Sequence, residues 1–184
     1  WSTTDLGSEA GQENPADLFT KVEKAPVPTG DMTFYAVFAT ATVSENTKLV
    51  NFTAGGTSAL ADIAGVATYG LNSDYKESHA PYIVKFDDTN DSIIWKNTNS
   101  NFVDSLTFGV KMIGGDSKST MTVLKSTDGT TYTEVQACVI SGSQNDILSF
   151  KVPIAATPAF IKLNFTKGDN VGFGNFVIYG TGIT

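Results

Sequence analysis

Apolar and polar residues alternate in this chain with a period of two, and that rhythm sets what it can fold into. Leu106, Phe108, Val110 and Met112 are separated by Thr107, Gly109 and Lys111, the pattern of a strand with one face in a core. Thr120–Lys125 and Thr131–Val135 enclose Ser126-Thr127-Asp128-Gly129-Thr130, and the Asp-Gly step supplies the positive φ of a hairpin turn. Further strands are expected at 34–38, 82–86, 92–96, 147–152, 160–165 and 176–179. The segment Asp87-Asp88-Thr89-Asn90-Asp91 between Phe86 and Ser92 reads as a five-residue hairpin loop. No stretch carries a sustained helical period with caps at both ends. The best helix candidate, 57–64, amounts to little more than a turn. Strand following strand, without helices between them, predicts an all-β fold: an antiparallel β-sandwich.

The composition shifts between residues 40 and 50. An acidic opening with Pro, Gly, Glu and Asn gives way to nearly unbroken strands. The expected organisation is an N-terminal arm over 1–47, a short β appendage, followed by the sandwich over 48–184.

Charge and composition exclude several functions. Of the 184 residues, 41% are hydrophobic, enough for one core. No apolar run approaches the roughly 18 residues that cross a bilayer, so direct membrane insertion is not expected. The chain opens at Trp1 with no basic-then-apolar leader, and is expected to be a mature product or a piece cut from a longer chain. Net charge is −7 and all twelve basic residues are lysine; without arginine or a basic stripe, nucleic-acid binding is not expected. Cys138 is the only cysteine and His79 the only histidine. Cys138 sits in an apolar stretch and reads as a small buried hydrophobe. A secreted chain without disulfides fits a bacterial surface. A Cys–His pair and a multi-histidine metal site are therefore not expected. There is no Gly-x-Ser-x-Gly elbow, and the glycines at 114–115 and 172–174 open no helix. The chain is expected not to be an enzyme.

Binding candidates remain. The loop 69–82 is long, polar and rich in flat rings, with Tyr69, Asn72, Asp74, Tyr75, His79 and Tyr82. Rings meet the C–H face of a sugar while amide, carboxylate and imidazole groups hydrogen-bond its hydroxyls. The competing reading is an ordinary connection whose tyrosines begin and end strands. Trp95 alternates with Ile94 and is a further candidate, with core packing the favoured reading. Asp87, Asp88 and Asp91 offer hard oxygens in one short turn, which suits calcium; a solvated turn is the favoured alternative.

The stretches 105–111, 123–135, 160–165 and 172–180 occur in the order seen in one broad group. Together they resemble the galactose-binding-like, discoidin-type jelly rolls of secreted Bacteroides-type surface proteins, over about residues 48–184. Trp1-Ser2-Thr3 with 33–39 resembles the back half of a Listeria–Bacteroides repeat. The resemblance implies a jelly roll that binds ligands, often glycans, through loops at one end, sometimes with a structural calcium. The expected function is a non-catalytic carbohydrate-binding or adhesion module of a bacterial cell-surface or secreted protein, with a glycan or surface protein as partner. The alternatives are a structural or protein-interaction spacer, or an accessory domain of a glycan-degrading enzyme.

Overall fold

The computed structural model describes residues 43–115 and 118–183; the expected arm through residue 42, with its strand at 34–38 and its repeat-like motif, lies outside them. Ten strands occur among the described residues: β1 Val43–Phe52, β2 Val66–Tyr69, β3 Val84–Phe86, β4 Ser92–Lys96, β5 Phe102–Met112, β6 Ser119–Ser126, β7 Thr133–Ile140, β8 Ile147–Ala156, β9 Phe160–Thr166 and β10 Val171–Ile183. The expected helix at 57–64 is a five-residue α1, Thr57–Ala61, whose Leu60 plugs the core. The strands form two five-stranded antiparallel sheets, as expected for a jelly-roll sandwich. The first runs β1-β10-β5-β8, with β3 also on β10; the second runs β2-β4-β9-β6-β7.

Burial follows the alternation. In β9, Ile161, Leu163 and Phe165 are buried while Lys162 and Asn164 face outward. Five phenylalanines, Phe86, Phe108, Phe165, Phe173 and Phe176, are fully buried between the layers. Phe86 of the first sheet meets Phe165 of the second edge-on, with centroids 5.5 Å apart, so aromatic contact joins the sheets directly.

The β6–β7 hairpin is as expected, with Gly129 at φ +77°. Its turn is organised by Asp128, whose carboxylate accepts the N–H groups of Thr131 and Thr130 and the hydroxyl of Ser126. These bonds, Thr131's first, hold the Asp128 carboxyl well below the usual range.

The 82–86/92–96 hairpin is not found. β3 pairs with β10 in the first sheet, whereas β4 pairs with β2 and β9 in the second. The five-residue loop therefore carries the chain from one layer to the other. Val84 and Phe86 share the core with Ile93 and Trp95; either connection buries the same side chains, so periodicity could not distinguish them. Strands β1 and β2 escaped the periodic reading too. β1 slips register between Ser44 and Thr47 and again between Lys48 and Val50, and each bulge breaks the alternation.

Candidate functional site

The structure does not gather the loop 69–82 and Trp95 into one site. Trp95 is core, at 4% exposure. Asp74 is exposed and ties α1 to the loop: Thr57 donates its backbone N–H (2.9 Å) and its hydroxyl (2.6 Å) to Asp74 Oδ1. Asn72 is exposed. Tyr82 is buried, and its hydroxyl accepts a 3.3 Å hydrogen bond from Asn175 Nδ2.

Tyr75 and His79 do meet, their ring centroids 5.3 Å apart across the turn 77–79. Lys85 Nζ lies 5.7 Å from the Tyr75 ring centre and forms an ion pair with Asp87 at 2.6 Å. Burial pushes the Tyr75 hydroxyl up to about 12, and the charges of Asp87 and Asp169 push the same way. Asn170 lies beside that hydroxyl and opposes the shift, yet Tyr75 Oη, His79 Nδ1 and Asn170 Oδ1 all lack a hydrogen-bond partner among the described residues. A phenol whose pKa rises on folding favours the folded state below its unfolded value of about 10. That contribution disappears as pH climbs through about 12. The urea midpoint of the native protein should therefore fall between pH 10 and 12 more steeply than that of Tyr75→Phe; equal slopes would refute the assignment.

The three carboxylates of the 87–91 turn do not converge. Asp91, 2% exposed, accepts the N–H groups of Asp87 and Asp88 at 2.9 Å each. Asp87 turns to Lys85, and Asp88 is exposed with Lys167 at 3.9 Å. Among the described residues no group of three or more His, Cys, Asp or Glu could hold a metal. Cys138 is buried as expected, and desolvation raises its thiol pKa.

Two outer sheet faces carry accessible chemistry. On the second sheet Tyr69, 55% exposed, shares its face with Ala67, which pairs with Ile94. Register continues that row from Ile94 to Lys162 of β9 and Leu124 of β6. Tyr132, from the β6–β7 turn, lies under the Lys162 ammonium, 5.8 Å from ring centre to Nζ. Burial raises the Tyr132 hydroxyl's pKa, and Tyr69 is near enough to add to the shift. Two phenols thus overlook a half-buried platform of Ile94, Leu124, Lys162 and Asn164.

On the first sheet, glycines replace outward side chains. A Cβ on Gly109 would meet the Tyr82 ring at 2.7 Å, and one on Gly174 would strike the Pro81 carbonyl. The 80–82 segment therefore rests directly on the sheet. Beside it lies a groove of about 290 Å³ lined by Thr107, Gly109, Ser149, Lys151 and Asn175. Asn175 sits at a bulge in β10 with φ +51°, a conformation few side chains adopt.

Lys162, Asn164, Tyr132 and the groove residues were not among the sequence candidates. Alternation could have turned each outward, but their grouping depends on which strands become neighbours.

No protein-family model matches the chain, and no curated protein matches it in sequence. Solved structures do. A cleaved adhesin domain of Lys-gingipain from Porphyromonas gingivalis superposes with a TM-score of 0.54 at 12% identity, over 72% of this chain and 99% of that one. A family 29 carbohydrate-binding module from Piromyces equi gives 0.44 at 17% identity, over 78% and 93%. A family 32 carbohydrate-binding module from a family 31 glycoside hydrolase of Clostridium perfringens gives 0.42 at 14%, over 63% and 94%. The likeness to the adhesin domain is one of fold. Function has to be argued from this chain's own residues.

Proposed function

We propose that this chain is a non-catalytic carbohydrate-binding or adhesion module of a secreted or cell-surface bacterial protein. One observation carries the reading: Tyr69 and Tyr132 overlook the outer face of the second sheet, with apolar Ile94 and Leu124 between them and Lys162 and Asn164 in reach. Phenol rings offer a flat apolar surface to the C–H side of a pyranose, and the amide and ammonium groups hydrogen-bond its equatorial hydroxyls. A rigid sheet holds these groups in place without ordering a loop on binding, which lowers the entropic cost of a weak ligand. Non-catalytic action fits the separation of reactive groups: His79 packs on Tyr75, while Cys138 lies in the core at 2% exposure.

Affinity electrophoresis through gels containing neutral plant or host polysaccharides tests the reading. The native protein should be retarded by at least one of them. Tyr69→Ala and Tyr132→Ala should each weaken retention roughly 3- to 10-fold, the range of one aromatic contact. Tyr69 is exposed, so Tyr69→Ala should leave stability within about 0.5 kcal/mol, whereas Tyr132 is partly buried beneath Lys162 and Tyr132→Ala should cost about 1 kcal/mol. Retardation that persists unchanged in the double variant would remove this face from the proposal, and no retardation in any gel would sink the carbohydrate reading itself.

A further inference from the structure

Lysine distribution on the other sheet points to a second ligand chemistry. Three register rows of the outer face of the first sheet surround the groove: Lys85–Gly172–Lys111, Gly174–Gly109–Ser149 and Val177–Thr107–Lys151; a fourth, Lys48–Tyr179–Ser105–Pro153, lies beyond them. Each row alternates with core residues such as Phe108, Val110 and Phe173, so Lys85, Lys111 and Lys151 share one outward face in a chain of net charge −7. Lys85 is neutralised by Asp87. Lys111 and Lys151 pair with no carboxylate among the described residues. Four residue positions separate them along the strands, about 13 Å at ~3.3 Å per residue. Between them lies the groove, with Gly109 in its floor and Thr107, Ser149 and Asn175 as hydrogen-bonding walls. Asn175 is held in place by its hydrogen bond to the buried Tyr82 hydroxyl, so its remaining hydrogen-bonding groups are presented in a fixed direction.

We infer that this groove binds an acidic oligosaccharide, one whose sugars carry uronate carboxylates. The Lys151 ammonium pairs with a carboxylate in the groove, and Lys111 meets a second carboxylate further along the chain. Thr107, Ser149 and Asn175 hydrogen-bond the ring hydroxyls between them. Lys111 and Lys151, unpaired among the described residues and without arginine beside them, suit a polymer with one charge per sugar. A densely sulfated chain would bring more negative charge than this face neutralises, against a protein that is itself acidic. The inference shares the carbohydrate-binding reading but uses the opposite sheet, so the two can fail separately.

Calorimetric titration of the native chain with oligogalacturonate, dextran sulfate and cellohexaose, at low and at physiological salt, tests it. Oligogalacturonate should bind, with affinity falling as salt rises. Lys151→Gln should weaken that binding about 10-fold, as expected for one charge-assisted hydrogen bond, and Lys111→Gln by less. Tyr69→Ala should leave it unchanged. Dextran sulfate, which carries sulfates and no carboxylates, binding as tightly would show that the site reads charge alone and overturn the uronate assignment. Oligogalacturonate binding untouched by either lysine change would overturn the groove. Cellohexaose binding that is sensitive to Tyr69→Ala, without oligogalacturonate binding, would leave the proposed function standing and remove this site.

Discussion

Phe173→Ala should cost the sandwich about 3–5 kcal/mol, the range for emptying a fully buried phenylalanine site. Phe173 is completely buried on β10, and its ring contacts Phe86 (5.4 Å), Phe108 (5.8 Å) and Phe176 (5.7 Å). Phe86 is the ring that reaches Phe165 in the opposite sheet. The cavity would therefore open where the two layers are joined, bounded by rings of which several sit on the central strands β5 and β10. Those strands are pinned on both edges by neighbours and have little freedom to collapse into the space. Urea unfolding should show a lower midpoint at an unchanged m-value. A loss below about 1.5 kcal/mol would mean that the rings repack, and that the junction does not depend on Phe173.

Asp91→Ala should be nearly as damaging, at about 2–4 kcal/mol. The buried Asp91 carboxylate satisfies two backbone N–H groups at the point where the chain crosses between sheets. A hydrogen bond to a charged acceptor contributes about 1.5–3 kcal/mol, and removing the acceptor strands both donors. Asp91→Asn retains one oxygen and should recover part of the loss. The same turn is the calcium candidate of the sequence, and the two roles make opposite predictions. If Asp91 acts through backbone hydrogen bonds alone, a chelator leaves the native melting temperature unchanged. A fall on chelation comparable to that of Asp91→Ala would show instead that a cation holds the turn.

The candidate residues divide according to the range of the physics that places them. Cys138 as a buried hydrophobe and Trp95 as core follow from local apolar context, and the structure agrees. Asp128 is legible as well, because an Asx-type turn is made within a few residues of itself. Asp74 was not: its role is to accept from Thr57, seventeen positions away. Tyr82 looked like a sugar platform in a polar loop. It is buried because Gly109 and Gly172, on strands far along the chain, leave room for it against the sheet.

Sequence alone therefore determined the class of fold, the main strands and the β6–β7 hairpin. Side-chain alternation and turn chemistry act over a few residues, and a single chain displays them openly. Tertiary structure decided which strands became neighbours, turning an apparent hairpin into a crossover and distributing the ring-rich loop among core, cap and two faces. Strand pairing is set by which apolar faces meet across the core, and many registers satisfy the same local pattern. The outer faces, where Tyr69 and Tyr132 overlook one platform and where Lys111 and Lys151 lie along a groove, exist only once that choice has been made.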